Sequence, residues 1–243
     1  MMTITPPMAL RDVLAPSGAL RAAINLSNTL LVSGRSNDGS PVGVAPDVAR
    51  AVADELGVRL SHIPYRTPAE IVDAASRDEW DIALIGDEHA REGVLSFTRP
   101  YALIEATYLV RGQLKGNAAK DLDRVGMRIA APRRTAYGLW LEKNLKKATL
   151  VLADGISEAR VLLAREEVDA LAGLRPWLER DEHSMPGVEV ASGSFAAVQQ
   201  SIGFRPYVPG AAEFLGAFVE AARRSRLVDR LVDKHQVSGL LAA

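Results

Sequence analysis

Residues 81–85, Asp-Ile-Ala-Leu-Ile, form a short continuous apolar run opened by an acid, and Val168-Asp169-Ala170-Leu171-Ala172 is a second apolar run later in the chain. Without polar alternation, such a strand has no wet face and must be covered by helices on both sides. The flanking sequence supplies those helices. A helical turn at 10–14, closed by Pro16 and Gly18, precedes a strand at 20–24. A polar loop with the turn signal Asn37-Asp38-Gly39 follows, and Asp47 opens a helix in which Val48, Val52 and Leu56 recur before Gly57 stops it. A strand at 58–63, a helix at 68–76 and the strand at 81–85 complete the order βαβαβ, which implies a parallel sheet with right-handed crossovers.

The alternation then repeats. After a β-rich stretch at 102–110 and the Gly112 to Gly116 segment come strands at 128–131, 150–152 and 168–172, with helices at 135–145 and 157–165. Residues 188–204 read as β-rich and return the chain to two final helices at 214–222 and 227–234. The expected fold class is α/β with two lobes, the first built from 1–110 and 196–243 and the second from 111–195. Two crossing strands act as the hinge. In open α/β sheets ligands sit beyond the carboxyl ends of the strands, so the residues after Ile24, Ile85, Ala131 and Ala172 are the expected site. Asn25, Gly86 and Asp87 come from the first two of those ends.

Composition narrows the function classes. The 243 residues carry a net charge of −1 and are 48% hydrophobic. That is a folded protein without the positive field that nucleic acid requires. No cysteine is present, and the four histidines, His62, His89, His183 and His235, lack metal-ligand spacing, so neither a thiolate nor a zinc site is expected. No cofactor motif, nucleophile elbow or phosphate loop occurs. No run approaches the ~18 apolar residues of a membrane span. The N-terminus has no basic n-region followed by an apolar h-region, so it is not an export signal as it stands. A signal removed beforehand and a cytosolic protein both remain open.

The run Ser96-Phe97-Thr98-Arg99-Pro100-Tyr101, the lone Arg91 before it, Gly43 with Asp47-Val48-Ala49, the opening Leu14-Ala15-Pro16-Ser17-Gly18 and the closing run 227–234 occur in one order across nearly the whole chain. Together they resemble family 3 of the bacterial extracellular solute-binding proteins, the polar amino-acid receptors of ABC transporters. The resemblance implies a type II periplasmic-binding-protein-like fold, a ligand cleft between the lobes, a monomer and an ABC transporter permease as partner. It also implies roles. Arg91 grips the ligand's carboxylate through a bidentate guanidinium fork, and Thr135 with the first helical turn behind it receives the same carboxylate. Read alone, Arg91 is a solvated arginine and Thr135 a plain N-cap.

This chain departs from the family pattern in three places. Pro132-Arg133-Arg134 replaces a glycine turn before Thr135 and adds charge there. Gly173-Leu174-Arg175 stands where amino-acid receptors place an aspartate for the ligand's ammonium, whereas Asp169 aligns with a structural aspartate. The loop before Arg91 is about two residues short and lacks the usual serine and threonine acceptors. An α-amino group would then be desolvated without partners, at a cost on the order of a few kcal/mol, unless Asp87 and Glu88 serve as acceptors. Tyr101, Tyr137, Trp140 and Phe195 are candidates for cleft walls, with core packing the simpler role for Trp140.

The expected function is a binding protein for a small carboxylate-bearing molecule, amino-acid-like or deamino, serving an ABC transporter in the periplasm. Two alternatives stand beside it. One is an enzyme resembling cyclohexadienyl dehydratase, which needs an acid of raised pKa for which Glu105 or Glu88 is the candidate. The other is a cytosolic metabolite-binding or sensing protein.

Overall fold

The computed structural model describes residues 8–88 and 93–243. The chain forms two compact units: unit 1 is Met1–Leu103 with Gln199–Ala243, and unit 2 is Ile104–Val198. The first stretch of unit 1 runs α1 (Met8–Leu14), β1 (Ala19–Asn25), the short pair β2 (Gly34–Arg35) and β3 (Pro41–Val42), α2 (Val44–Leu56), β4 (Arg59–Tyr65), α3 (Pro68–Ala74), β5 (Ile82–Gly86) and β6 (Ser96–Phe97). β1 pairs in parallel with β4 on one side and with β5 on the other.

Helix α2 starts at Val44, ahead of the expected Asp47. The cause is Gly43, whose φ of 148° and position over the 31–33 loop admit no side chain: a Cβ there would lie 2.3 Å from the Leu31 carbonyl oxygen. The turn into the helix is therefore set by Gly43, and Asp47 sits inside the first turn, where its charge suits the helix dipole. On the α3 side of the sheet, Ala23, Ile71, Ala83, Ile85 and Leu95 pack around Trp80, whose indole N–H donates to the Ile71 carbonyl at 3.0 Å.

β7 (Ala102–Arg111) carries the chain into unit 2, which continues through β8 (Arg128–Pro132), α4 (Ala136–Asn144), β9 (Thr149–Ala153), α5 (Ile156–Ala164), β10 (Ala170–Leu174), α6 (Arg175–Ser184) and β11 (Val188–Val190). β8 is parallel to both β9 and β10, and β7 runs antiparallel beside β10. β12 (Ala196–Phe204) returns to unit 1, pairing antiparallel with β5, and is followed by α7 (Ala211–Arg224), α8 (Leu227–His235) and β13 (Leu241–Ala242). Each unit thus has one scheme, a first strand flanked by the second and third, with an antiparallel strand beyond the third. Two further details differ from the sequence reading. β10 begins at Ala170, beyond the 168–172 start, because Val168 and Asp169 form its entry. Helix α6 was not anticipated, although Pro176 in its first turn is a recognised start signal.

An ionic knot fastens the amino ends of the strands in both units. In unit 1 the Arg21 N–H donates to Asp81 Oδ2 at 2.8 Å, its guanidinium reaches Asp81 Oδ1 at 2.7 Å, and the Asp81 N–H returns to the Arg21 carbonyl at 2.8 Å. Arg21 also donates to the carbonyl of Asp78, and Arg205, just past β12, pairs with the Asp78 carboxylate. Unit 2 repeats the pattern. Arg128 N–H and guanidinium meet Asp169 at 2.8 and 2.9 Å, the Asp169 N–H donates to the Arg128 carbonyl at 2.9 Å, and Arg128 also donates to the Glu166 carbonyl. Arg111, at the end of β7, lies 3.8 Å from the Glu166 carboxylate. Asp78 and Glu166 both take the left-handed conformation, at φ 53° and 58°.

Burial separates the two knots. The Asp81 side chain is 0% exposed and that of Asp169 is 29% exposed. We expect Asp81→Ala to cost about 2–4 kcal/mol, because it removes the buried carboxylate that a partly buried guanidinium and a strand amide both meet, and Asp169→Ala about 1–2 kcal/mol after solvent screening, both read from urea unfolding. Hydrogen bonds from Arg128 hold the Asp169 carboxyl below its ordinary range. Its contribution is accordingly present above the unfolded pKa of about 4 and is lost as pH falls through the lower folded value. The stability gap between the native protein and Asp169→Asn should close on acidification; a gap unchanged from neutral pH to pH ~2 would contradict the assignment.

Candidate functional site

Each unit presents its own candidate edge at the carboxyl ends of its parallel strands. In unit 1, Ile24 lies opposite Leu84, so Asn25 and Gly86 end neighbouring strands and Asp87 follows. Asn25 Oδ1 accepts the Ser27 N–H and Oγ–H at 3.1 and 2.8 Å, which orients the amide. Asp87 extends the ladder, its N–H donating to the Gln199 carbonyl at 2.7 Å. Arg91 lies outside the described residues.

The motif Thr98-Arg99-Pro100-Tyr101 has a structural basis in this unit. Thr98 Oγ1 donates to the Arg99 carbonyl at 2.7 Å and accepts the Ile202 N–H at 3.1 Å, while the Tyr101 N–H donates to the Gln200 carbonyl at 2.8 Å. The corner is thereby fastened along β12. Tyr101 itself is 1% exposed, so its ring is core rather than open wall. Burial pushes its phenol pKa up, and its hydroxyl has no partner among the described residues.

In unit 2, Ala130 lies opposite Leu171, which brings Thr135 and Arg175 to one edge. Thr135 caps α4: its Oγ1 accepts the Gly138 N–H at 3.1 Å and donates its only hydrogen to the Pro132 carbonyl at 2.8 Å. The hydroxyl donor is therefore spent within the turn, and the groups left for an anion are the first-turn amides of Ala136 and Tyr137. Gly138 permits this closeness, since a Cβ there would stand 2.5 Å from the Pro132 oxygen. The turn keeps a glycine-like shape without a glycine, because Arg134 adopts φ 58°.

Leu174 is buried at the end of β10 and offers no polar group to an ammonium. Arg175 opens α6 and is anchored: its Nε donates to Glu105 Oε2 at 2.6 Å, and a second nitrogen bonds the Gly193 carbonyl. Glu105 is thus the ion-pair partner of Arg175, a role different from the free acid expected from sequence. Phe195 packs against Tyr108 and Trp140, with centroids 4.6 and 5.4 Å apart, whereas Tyr137 is buried. A cavity of about 590 Å³ lined by Arg111, Arg128, Glu166 and Asp169 lies at the opposite, amino ends of β8 and β10 and includes none of the predicted residues.

The sequence profile of the bacterial extracellular solute-binding proteins, family 3, matches residues 28–236. Among curated proteins no relative matches. Solved structures are similar over nearly the whole chain. A mutant of ArgBP from T. maritima is 21% identical with a TM-score of 0.72, covering 93% of this chain and 98% of its own. The substrate-binding protein AbpA of an amino acid ABC transporter from Streptococcus pneumoniae, bound to L-arginine, is 18% identical with a TM-score of 0.72, covering 92% and 97%. An ancestral amino-acid-binding protein, a precursor of cyclohexadienyl dehydratase, is 20% identical with a TM-score of 0.72, covering 93% and 98%. At these identities the likeness establishes the fold.

The left-handed Arg134 yields a direct expectation. Such a conformation costs an ordinary residue about 1–2 kcal/mol, and glycine returns part of that through its freer unfolded state. Arg134→Gly should therefore raise stability by about 0.5–1 kcal/mol in urea unfolding; a loss would show that the arginine side chain makes a larger contribution than the strain.

Proposed function

The chain belongs to the bacterial extracellular solute-binding proteins, family 3, and from that premise we propose that it binds a small carboxylate-bearing solute as the substrate-binding component of an ABC transporter, in the periplasm. The observation that carries the carboxylate reading is the turn from Pro132 to Thr135. It starts α4 at the carboxyl end of β8, and the amides of Ala136 and Tyr137 suit an oxyanion. For Arg91, which lies outside the described residues, a carboxylate-binding role rests on its spacing from Phe97, Pro100 and Tyr101.

The ammonium is the part of an amino acid that this chain serves least. At the end of β10 stand Leu174, buried and apolar, and Arg175, a cation held by Glu105. Solved proteins of this fold hold L-arginine, but the reading favours a deamino acid here, with Asp87 and Glu88 as the alternative acceptors. The dehydratase alternative asks for a buried acid without a neighbouring cation. Glu105 is 45% exposed and paired with Arg175, which supports binding without turnover.

Two measurements test the reading, using short mono- and dicarboxylates with and without an α-amino group, among them L-arginine, L-glutamate and glutarate. Arg91→Lys keeps the charge but loses the fork, and should weaken binding of the tightest compound at least tenfold, about 1.4 kcal/mol, in calorimetric titration, with the unfolding midpoint unchanged. Equal affinities would remove Arg91 from the site. Across matched pairs, the deamino acid should bind at least as well as its amino counterpart. A strong preference for the amino form would assign the ammonium to Asp87, Glu88 or another acceptor.

A further inference from the structure

Gln200 lies in the strand beside the unit 1 edge, and its burial does not fit its chemistry. It is 2% exposed, and its carbonyl accepts the Tyr101 N–H, yet its side-chain amide makes no hydrogen bond to any described residue. Taking most of an amide out of water without a protein partner costs up to about 1–3 kcal/mol, which an apolar residue of similar volume would avoid. A purely structural role therefore gives no reason for glutamine at this position.

Its position supplies one. Gln200 pairs directly with Gly86, the last residue of β5, and Asp87 follows on the same edge, tied to Gln199. Directly opposed residues share a face of the sheet, and a glycine opposite leaves the amide uncovered from β5. Among the described residues four side-chain atoms are fully enclosed without partners, Ser201 Oγ, the Tyr101 hydroxyl, His62 Nε2 and Arg205 Nε, whereas the Gln200 amide keeps a small exposed area at the strand end. Ser201 lies opposite Ile85 and so shares its face, the apolar side packed around Trp80. Tyr101 lies in the corner before β7 and ends no strand of the edge.

We infer that Gln200 is a solute-contacting residue whose side-chain amide donates to an oxygen of the bound molecule at the carboxyl end of β5. The assignment rests on the solute-binding reading above and deepens it: the solute carries an oxygen acceptor in reach of β12, and Gln200 selects for it.

Gln200→Met keeps the volume and removes the amide. With the tightest-binding compound of the carboxylate panel as probe, its affinity should fall at least tenfold in calorimetric titration, while the thermal midpoint without probe stays equal or rises. Gln200→Glu places a like charge beside an acceptor and should lose at least as much. Undiminished binding by both variants overturns the role of Gln200 and leaves the solute-binding reading intact. A lower midpoint for Gln200→Met without probe assigns the glutamine to structure and also overturns the inference. If the native protein binds no member of the panel, the carboxylate reading fails and this inference falls with it.

Discussion

Everything that the carboxyl ends of the strands present depends on how their amino ends are fastened. Arg21 with Asp81, and Arg128 with Asp169, each join the first strand of a unit to its third through two backbone and several side-chain hydrogen bonds. A one-residue slip between parallel strands would turn every side chain to the other face. The knot forbids that slip, because the carboxylate must meet both the amide and the guanidinium of one arginine. With register fixed at one end, the strand lengths decide which residues emerge at the other: Asn25 beside Gly86 in unit 1, Thr135 beside Arg175 in unit 2. A buried ion pair is weak evidence for stability but is well suited to setting register.

The alternation of strands and helices was legible because burial on both faces leaves a continuous apolar run such as Ile82-Ala83-Leu84-Ile85 no other partner. What escaped the sequence reading was set by contacts distant in the chain. Asp169 reads as a structural aspartate, but its partner Arg128 stands 41 positions away, and the regular ladder begins after it. Pro132-Arg133-Arg134 reads as the loss of a glycine turn, yet the backbone keeps that turn by straining Arg134. Glu105 gave no local sign of pairing with a residue seventy positions away. Two signals were present and unused: Pro176 at the start of α6, and the polar run Gln199-Gln200-Ser201 inside a strand. The likeness of Asp78-Glu79-Trp80-Asp81 to Glu166-Glu167-Val168-Asp169 was also readable, as the same acidic knot written twice.

The unit 2 edge shows how the groups at a strand end can change without loss of fold. The cap of α4 spends its hydroxyl on its own turn, so the first turn presents backbone amides rather than a side-chain donor. At the neighbouring strand end, the cation of Arg175 is neutralised by Glu105 and held by the Gly193 carbonyl. A residue anchored this way fills space and contributes field without being mobile, which is a different surface from one that carries a lone carboxylate.

The chain leaves unit 1 within β7 and returns within β12, and this imposes an order on synthesis. Unit 2 is one uninterrupted stretch, complete once residue 198 has left the ribosome. Unit 1 is not: β5 has β1 on one side from the start, but its other side stays unpaired until residues 200–204 arrive. The nascent chain therefore carries an open, wholly apolar strand edge through the translation of more than a hundred residues, the kind of edge that invites pairing between chains. The segment translated first is the last to be finished, and the hazard of misassembly is concentrated on one side of β5.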